Sequence, residues 1–133
     1  MDLSLKTISY SQDRKDWLGS QHGTDVLRSI TLDVSTFTKA THYPDGYLKS
    51  GLPLGKITAS GKYGLYDDTK SDGRQTLVGL LWTGVEVIDH RGTASTSVGG
   101  SMFVHGFVKT SALPAPGIDA NGLVDVASRI YTV

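Results

Sequence analysis

Gly51-Leu52-Pro53-Leu54-Gly55-Lys56-Ile57-Thr58-Ala59-Ser60-Gly61-Lys62-Tyr63-Gly64-Leu65-Tyr66, running on through Asp72-Gly73 into Leu77-Val78-Gly79-Leu80-Leu81, is the stretch that decides the fold class. Short apolar runs follow one another here, separated by turns whose chemistry is explicit. Gly61 and Gly73 permit positive φ where the chain must reverse, and Asp72-Gly73 is a strong turn dipeptide between apolar runs. The residues therefore predict strands over 54–59 and 63–66. The run over 77–82 is apolar except at Gly79, which predicts a strand buried on both faces.

Outward from that centre, Ile30-Thr31-Leu32-Asp33-Val34 alternates at period two and predicts a strand with one packed and one wet face. Residues 37–50 are rich in turn formers, with Pro44 and Gly46 in Tyr43-Pro44-Asp45-Gly46, and are expected as a loop. Val85-Glu86-Val87-Ile88 reads as a further strand. Residues 89–101 hold the Gly99-Gly100 pair and are expected as a loop or wide connection. Residues 102–108 read as one strand, Phe103 and Phe107 sharing a face. The one expected helix lies within 118–129, with Asp119 placed to cap it and Leu123, Val126, Ala127 and Ile130 at helical spacing. Residues 130–133 close the chain as a possible last strand.

The first 29 residues are polar and are read as an extended N-terminal arm, with residues 30–133 as the β domain. Within the arm Leu3 and Leu5 alternate with polar neighbours. Ile8 and Tyr10 alternate in the opposite register, and Trp17-Leu18 is an isolated apolar pair. Such spacing suits a strand added to a partner's sheet.

Composition narrows the function. The 133 residues carry 38% hydrophobic content, enough for one domain with a core. Thirteen basic and thirteen acidic residues cancel, so no long-range field draws the chain to nucleic acid or to an anionic membrane. Cysteine is absent, which excludes disulfides, thiolate metal sites and a cysteine nucleophile. No signal-peptide stretch opens the chain, so synthesis in a cytoplasm is expected, with exit only inside a larger particle.

Catalytic and ligand motifs fail on inspection. Residues 51–57 miss a phosphate-binding loop by one residue between Gly51 and Gly55, and Ile57 stands where Ser or Thr must hold magnesium. Counted from Asp68, a calcium loop would place Lys70 at the third position and Gly79 at the twelfth, so the acidic segment over 67–73 reads as a solvated hairpin tip. His22, His42, His90 and His105 form no short-range ligand pair. His105, between Phe103 and Phe107, reads as a partly buried structural histidine. No serine-hydrolase elbow occurs, and Glu86 is the one partial candidate for a carboxyl raised by apolar surroundings. No catalytic residue, metal or cofactor is expected.

The pattern Leu54-Gly55-Lys56-Ile57 through Gly61-Lys62-Tyr63, then the Asp-Gly turn, then Val78-Gly79-Leu80-Leu81, is similar in order and spacing to the head decoration proteins of tailed phages, the lambda-like protein D family. Residues 102–114, the helix and Ile130-Tyr131-Thr132-Val133 continue the likeness, which spans the chain from about Ser50 onward. The resemblance implies a compact, β-tulip-like, mainly β domain with one short C-terminal helix. It further implies a homotrimer at threefold positions on the outer surface of an expanded capsid, cementing the major capsid protein against internal DNA pressure without performing chemistry. Leu3, Leu5, Ile8, Tyr10, Trp17 and Leu18 of the arm are then the expected capsid contacts. The strand over 30–34 departs from a minimal family member. The rival function is a tail or receptor-binding β module for sugar or protein, which needs an exposed aromatic platform. Trp82 lies inside an apolar run and suits that poorly, leaving Trp17.

Overall fold

The computed structural model describes residues 15–89, 91–114 and 117–133. Its centre is a five-stranded closed barrel in the order β1 (Arg28–Asp33), β4 (Tyr63–Leu65), β3 (Pro53–Lys56), β5 (Gly79–Leu81) and β7 (Ser97–Phe103). All neighbours are antiparallel except β1 and β4, which close the ring in parallel through Leu32 and Tyr63. Two further pairs flank the barrel. β2 (Tyr47–Leu48) runs antiparallel to β6 (Val85–Glu86), and β8 (Gly106–Val108) runs parallel to β9 (Ile130–Thr132). The fold is mainly β with a short helix near the C-terminal end, as the sequence predicts.

Two apolar layers follow from the strand period of two. In β1 the alternation works as expected, Ile30 and Leu32 pointing inward between exposed neighbours. In β5 and β7 successive residues are buried on opposite faces. Leu81 and Met102 enter the barrel core with Leu32, Leu48, Leu52 and Leu54, while Leu80 and Phe103 enter a second cluster outside it with Trp17, Leu77, Val108, Val126 and Ile130. Each such side chain contributes on the order of 1.5–3 kcal/mol by leaving water, so both layers are needed to offset chain entropy.

Turn chemistry is as expected at Gly61 (φ 72°) and Gly73 (φ 113°), and every positive φ among the described residues belongs to glycine. Four expectations are corrected. Residues 97–101 are strand, not loop: β7 pairs with β1 over six positions, Gly99 opposite Thr31 and Gly100 opposite Ile30. A Cβ on Gly100 would press on Leu32 and Leu81, so that glycine serves packing and not a turn, whereas Gly99 faces open space. The strand expected over 102–108 breaks at Val104-His105. Gly106 (φ 142°) resets the alternation, so Phe103 is buried while Phe107 lies on the outer side against Tyr131. The helix is shorter than its apolar spacing suggests, α2 spanning Ala120–Asp125, although Asp119 caps it by accepting the Gly122 N–H at 2.8 Å.

The fourth correction is α1 (Lys39–His42), a single turn inside the expected loop. His42 makes it by folding back, its Nδ1 accepting the Thr38 N–H at 2.8 Å while the ring packs edge-on to Phe37. Burial of that ring holds its pKa below the ordinary 6.5, and the Lys49 charge adds to the effect. Because the folded state prefers the neutral ring, the unfolded chain binds more protons below about pH 6.5 and stability is lost as pH falls through that range. Denaturant unfolding of His42→Asn, which keeps an acceptor for Thr38, is expected to lose less stability than the unaltered protein between about pH 7 and about pH 5.5. Parallel losses in the two proteins would refute this role for His42.

Candidate functional site

The segment where the polar N-terminal region joins the domain is held through both a side chain and the backbone. Trp17 is 1% exposed and sits edge-on to both Phe103 (5.2 Å) and Trp82 (5.9 Å), which stack on each other at 5.8 Å. Its Nε1–H donates to Ser50 Oγ at 3.2 Å, and the Ser50 hydroxyl donates onward to the Trp82 carbonyl at 2.6 Å. The polar atom that an indole brings into a core is thereby satisfied. The backbone is held as well. The Lys109 N–H donates to the Trp17 carbonyl, the Gly19 N–H donates to the Phe107 carbonyl, and Leu18 bridges Val108. Lys15 places its ammonium 4.9 Å from the Trp82 ring centre. Residues 17–19 thus lie antiparallel beside β8 through a single bridge.

This corrects the expectation for Trp17 and Leu18. They are not arm residues free to enter a partner's pocket, because Trp17 belongs to the domain's own second core. The boundary drawn at 29/30 cuts through that core and through β1, which begins at Arg28. Leu3, Leu5, Ile8 and Tyr10 lie outside the described residues.

On the same face, β9 is laid against only one side of β8, and Tyr131 and Val133 are among the few large apolar residues left exposed, at 48% and 66%. Tyr131 packs against Phe107 with ring centres 5.4 Å apart, and His22 packs against Phe107 at 5.9 Å. Sequence reasoning missed what lies beside them. His22 and His105, 83 positions apart, meet with Nε2 atoms 3.2 Å from each other. Nothing in local spacing signals such a pair, since it depends on a loop and a strand break coming together.

Polar groups elsewhere are engaged in structural bonds. The Tyr66 hydroxyl donates to Asp119 Oδ1 at 2.7 Å, and burial, then this bond and the neighbouring carboxylates, push the phenol pKa far up. Asp125 accepts the Leu77 N–H at 2.9 Å, Asn121 donates to Asp68 at 2.6 Å, and Arg129 donates to the Val78 and Val104 carbonyls. Together these tie α2 and the strand after it to the connection between β4 and β5, and Arg129 also reaches the break between β7 and β8. Within the β4–β5 connection, a loop and not the expected hairpin because β4 and β5 each pair with β3, Asp67 and Asp72 accept from Thr69 and Arg74, which lowers both carboxyl pKa values. Glu86 is exposed at the end of β6. Among the described residues no group of three or more His, Asp or Glu is arranged around one point, and no helix is long and apolar enough to cross a membrane. No protein-family model matches the chain, and no curated protein matches it.

Proposed function

We propose that this protein is a head decoration protein of a tailed phage, binding as trimers at threefold positions of the expanded capsid and cementing neighbouring subunits of the major capsid protein. The observation that carries the reading is the clamp on Trp17. It gives the chain just after the first fourteen residues a fixed point in the domain's second core. A partner-binding segment gains from such an anchor, since a fixed root restricts where the segment can search. The stretch that carries the family resemblance supports the same reading, because it builds β3, β4 and β5 as consecutive neighbours of one barrel. The rival reading as a sugar-binding module receives no support from the tryptophans. Trp17 is buried, and Trp82 has Phe103 stacked against it and Lys15 over its ring.

Many weak contacts repeated over a closed shell act together, and threefold closure gives each copy the same contacts. Expanded heads incubated with the purified protein are therefore expected to rupture at a higher temperature than bare heads. Image reconstruction should place added density at the threefold positions. Equal rupture temperatures, or density from isolated monomers away from those positions, would remove the cementing role.

A further inference from the structure

We propose that His22 and His105 form a two-ligand site for a divalent transition-metal ion of the zinc, nickel or copper class, with water completing the coordination. The inference goes beyond the capsid role and stands without it. It starts from the backbone. Gly23 (φ 82°) and Gly106 (φ 142°) face each other across the two loops. A Cβ on Gly106 would lie 2.6 Å from the His22 carbonyl oxygen, and a Cβ on Gly23 would collide with the His105 carbonyl. Only glycine allows this approach, and each glycine adjoins the histidine of its own loop. The approach of the two loops is therefore set by main-chain packing, which brings the two histidines to one place on the surface. The outer faces of Phe107 and Tyr131 continue the wall beside it, Phe107 packing on the His22 ring.

The dimensions fit a shared ion. Two nitrogens each about 2.0–2.1 Å from one zinc ion, subtending an angle near 100–110°, are about 3.2–3.4 Å apart. The Nε2 atoms here are 3.2 Å apart. Ring centres around such an ion lie about 5.0–5.2 Å apart. The observed separation is 5.1 Å. Imidazole nitrogen selects zinc, copper and nickel over magnesium and calcium, which take oxygen ligands. A bound ion would staple the loop after Trp17 to the break between β7 and β8.

The test uses tag-free, metal-stripped protein titrated calorimetrically with zinc chloride, with magnesium chloride as the comparison. One equivalent of zinc should bind and magnesium should not. His22→Gln and His105→Gln should each weaken zinc binding at least about tenfold, since loss of an outer-shell partner alone typically costs about 10- to 100-fold. His90→Gln should leave it unchanged. Zinc should also raise the melting temperature of the unaltered protein and of His90→Gln but not of the other two variants, whose metal-free far-ultraviolet spectra establish that they fold. Absence of zinc binding at millimolar concentration, or equal binding by all four proteins, overturns the proposal and leaves the pair as a hydrogen bond.

Discussion

Trp17→Ala is expected to destabilise the domain by about 3–5 kcal/mol, a large part of the about 5–15 kcal/mol that holds a typical domain together. The cost is mainly the cavity. Trp17 is fully enclosed and edge-on to two aromatic rings, and each such pair contributes about 0.5–1.5 kcal/mol beyond the area it buries. The hydrogen-bond term is smaller, because Ser50 keeps the Trp82 carbonyl as its acceptor when the indole is gone. Urea unfolding should show the midpoint moving sharply down. A midpoint within error of the unaltered protein would mean that Trp17 does not occupy this pocket in solution. Truncation gives the same answer independently. A chain starting at residue 30 lacks Trp17, Leu18 and the Arg28 and Ser29 positions that pair with Met102 and Ser101, so it should not fold.

Removing only residues 1–14 is expected to have the opposite profile, with stability nearly unchanged and attachment to expanded heads sharply weakened. Under the proposed function, Leu3, Leu5, Ile8 and Tyr10 enter shallow pockets on the capsid protein. Ordering ten residues costs roughly 10–20 kcal/mol of backbone entropy, while four fully buried apolar side chains contribute about 6–12 kcal/mol. Side chains alone do not cover the cost, so main-chain pairing with a capsid strand edge is required. Co-sedimentation of the truncated protein with expanded heads measures this. Unchanged affinity would show that contacts of the domain carry all the binding, and would leave the decoration role itself standing.

What could be read from the sequence was local. The alternation over 30–33, the two-sided burial within 79–81, the glycine turns and the Asp119 cap each depend on neighbours in the chain, and each lies within the stretch expected for it. What escaped depends on distant partners. Gly99 and Gly100 suit a loop by composition and become strand because β1 lies alongside to pair with them, with Leu32 and Leu81 taking the space at Gly100. Trp17 stands in a polar segment, so no periodicity assigns it to a core; its pocket is assembled from Ser50, Trp82, Phe103 and the backbone around Val108. The His22–His105 pair has the same character. A strand break at Gly106 turned Phe107 outward, and no pattern of apolar residues marks such a break in advance.

The pairing of β1 with β7 also sets an order of events during synthesis. Local hairpins such as β3 with β4 can form as soon as they leave the ribosome, but Arg28 cannot meet Met102 until most of the chain has been made. At about 5–20 residues per second that interval lasts several seconds, and long-range closure of this kind is slow compared with helix or hairpin formation. The pocket for Trp17 waits longer still, because Val108, Val126 and Ile130 complete its cluster. Trp17, made well before these residues, is thus among the last side chains to gain a fixed place. A nascent or half-folded chain would lack this anchor, so under the proposed function tight attachment to a partner is reserved for molecules whose C-terminal strand is already in place.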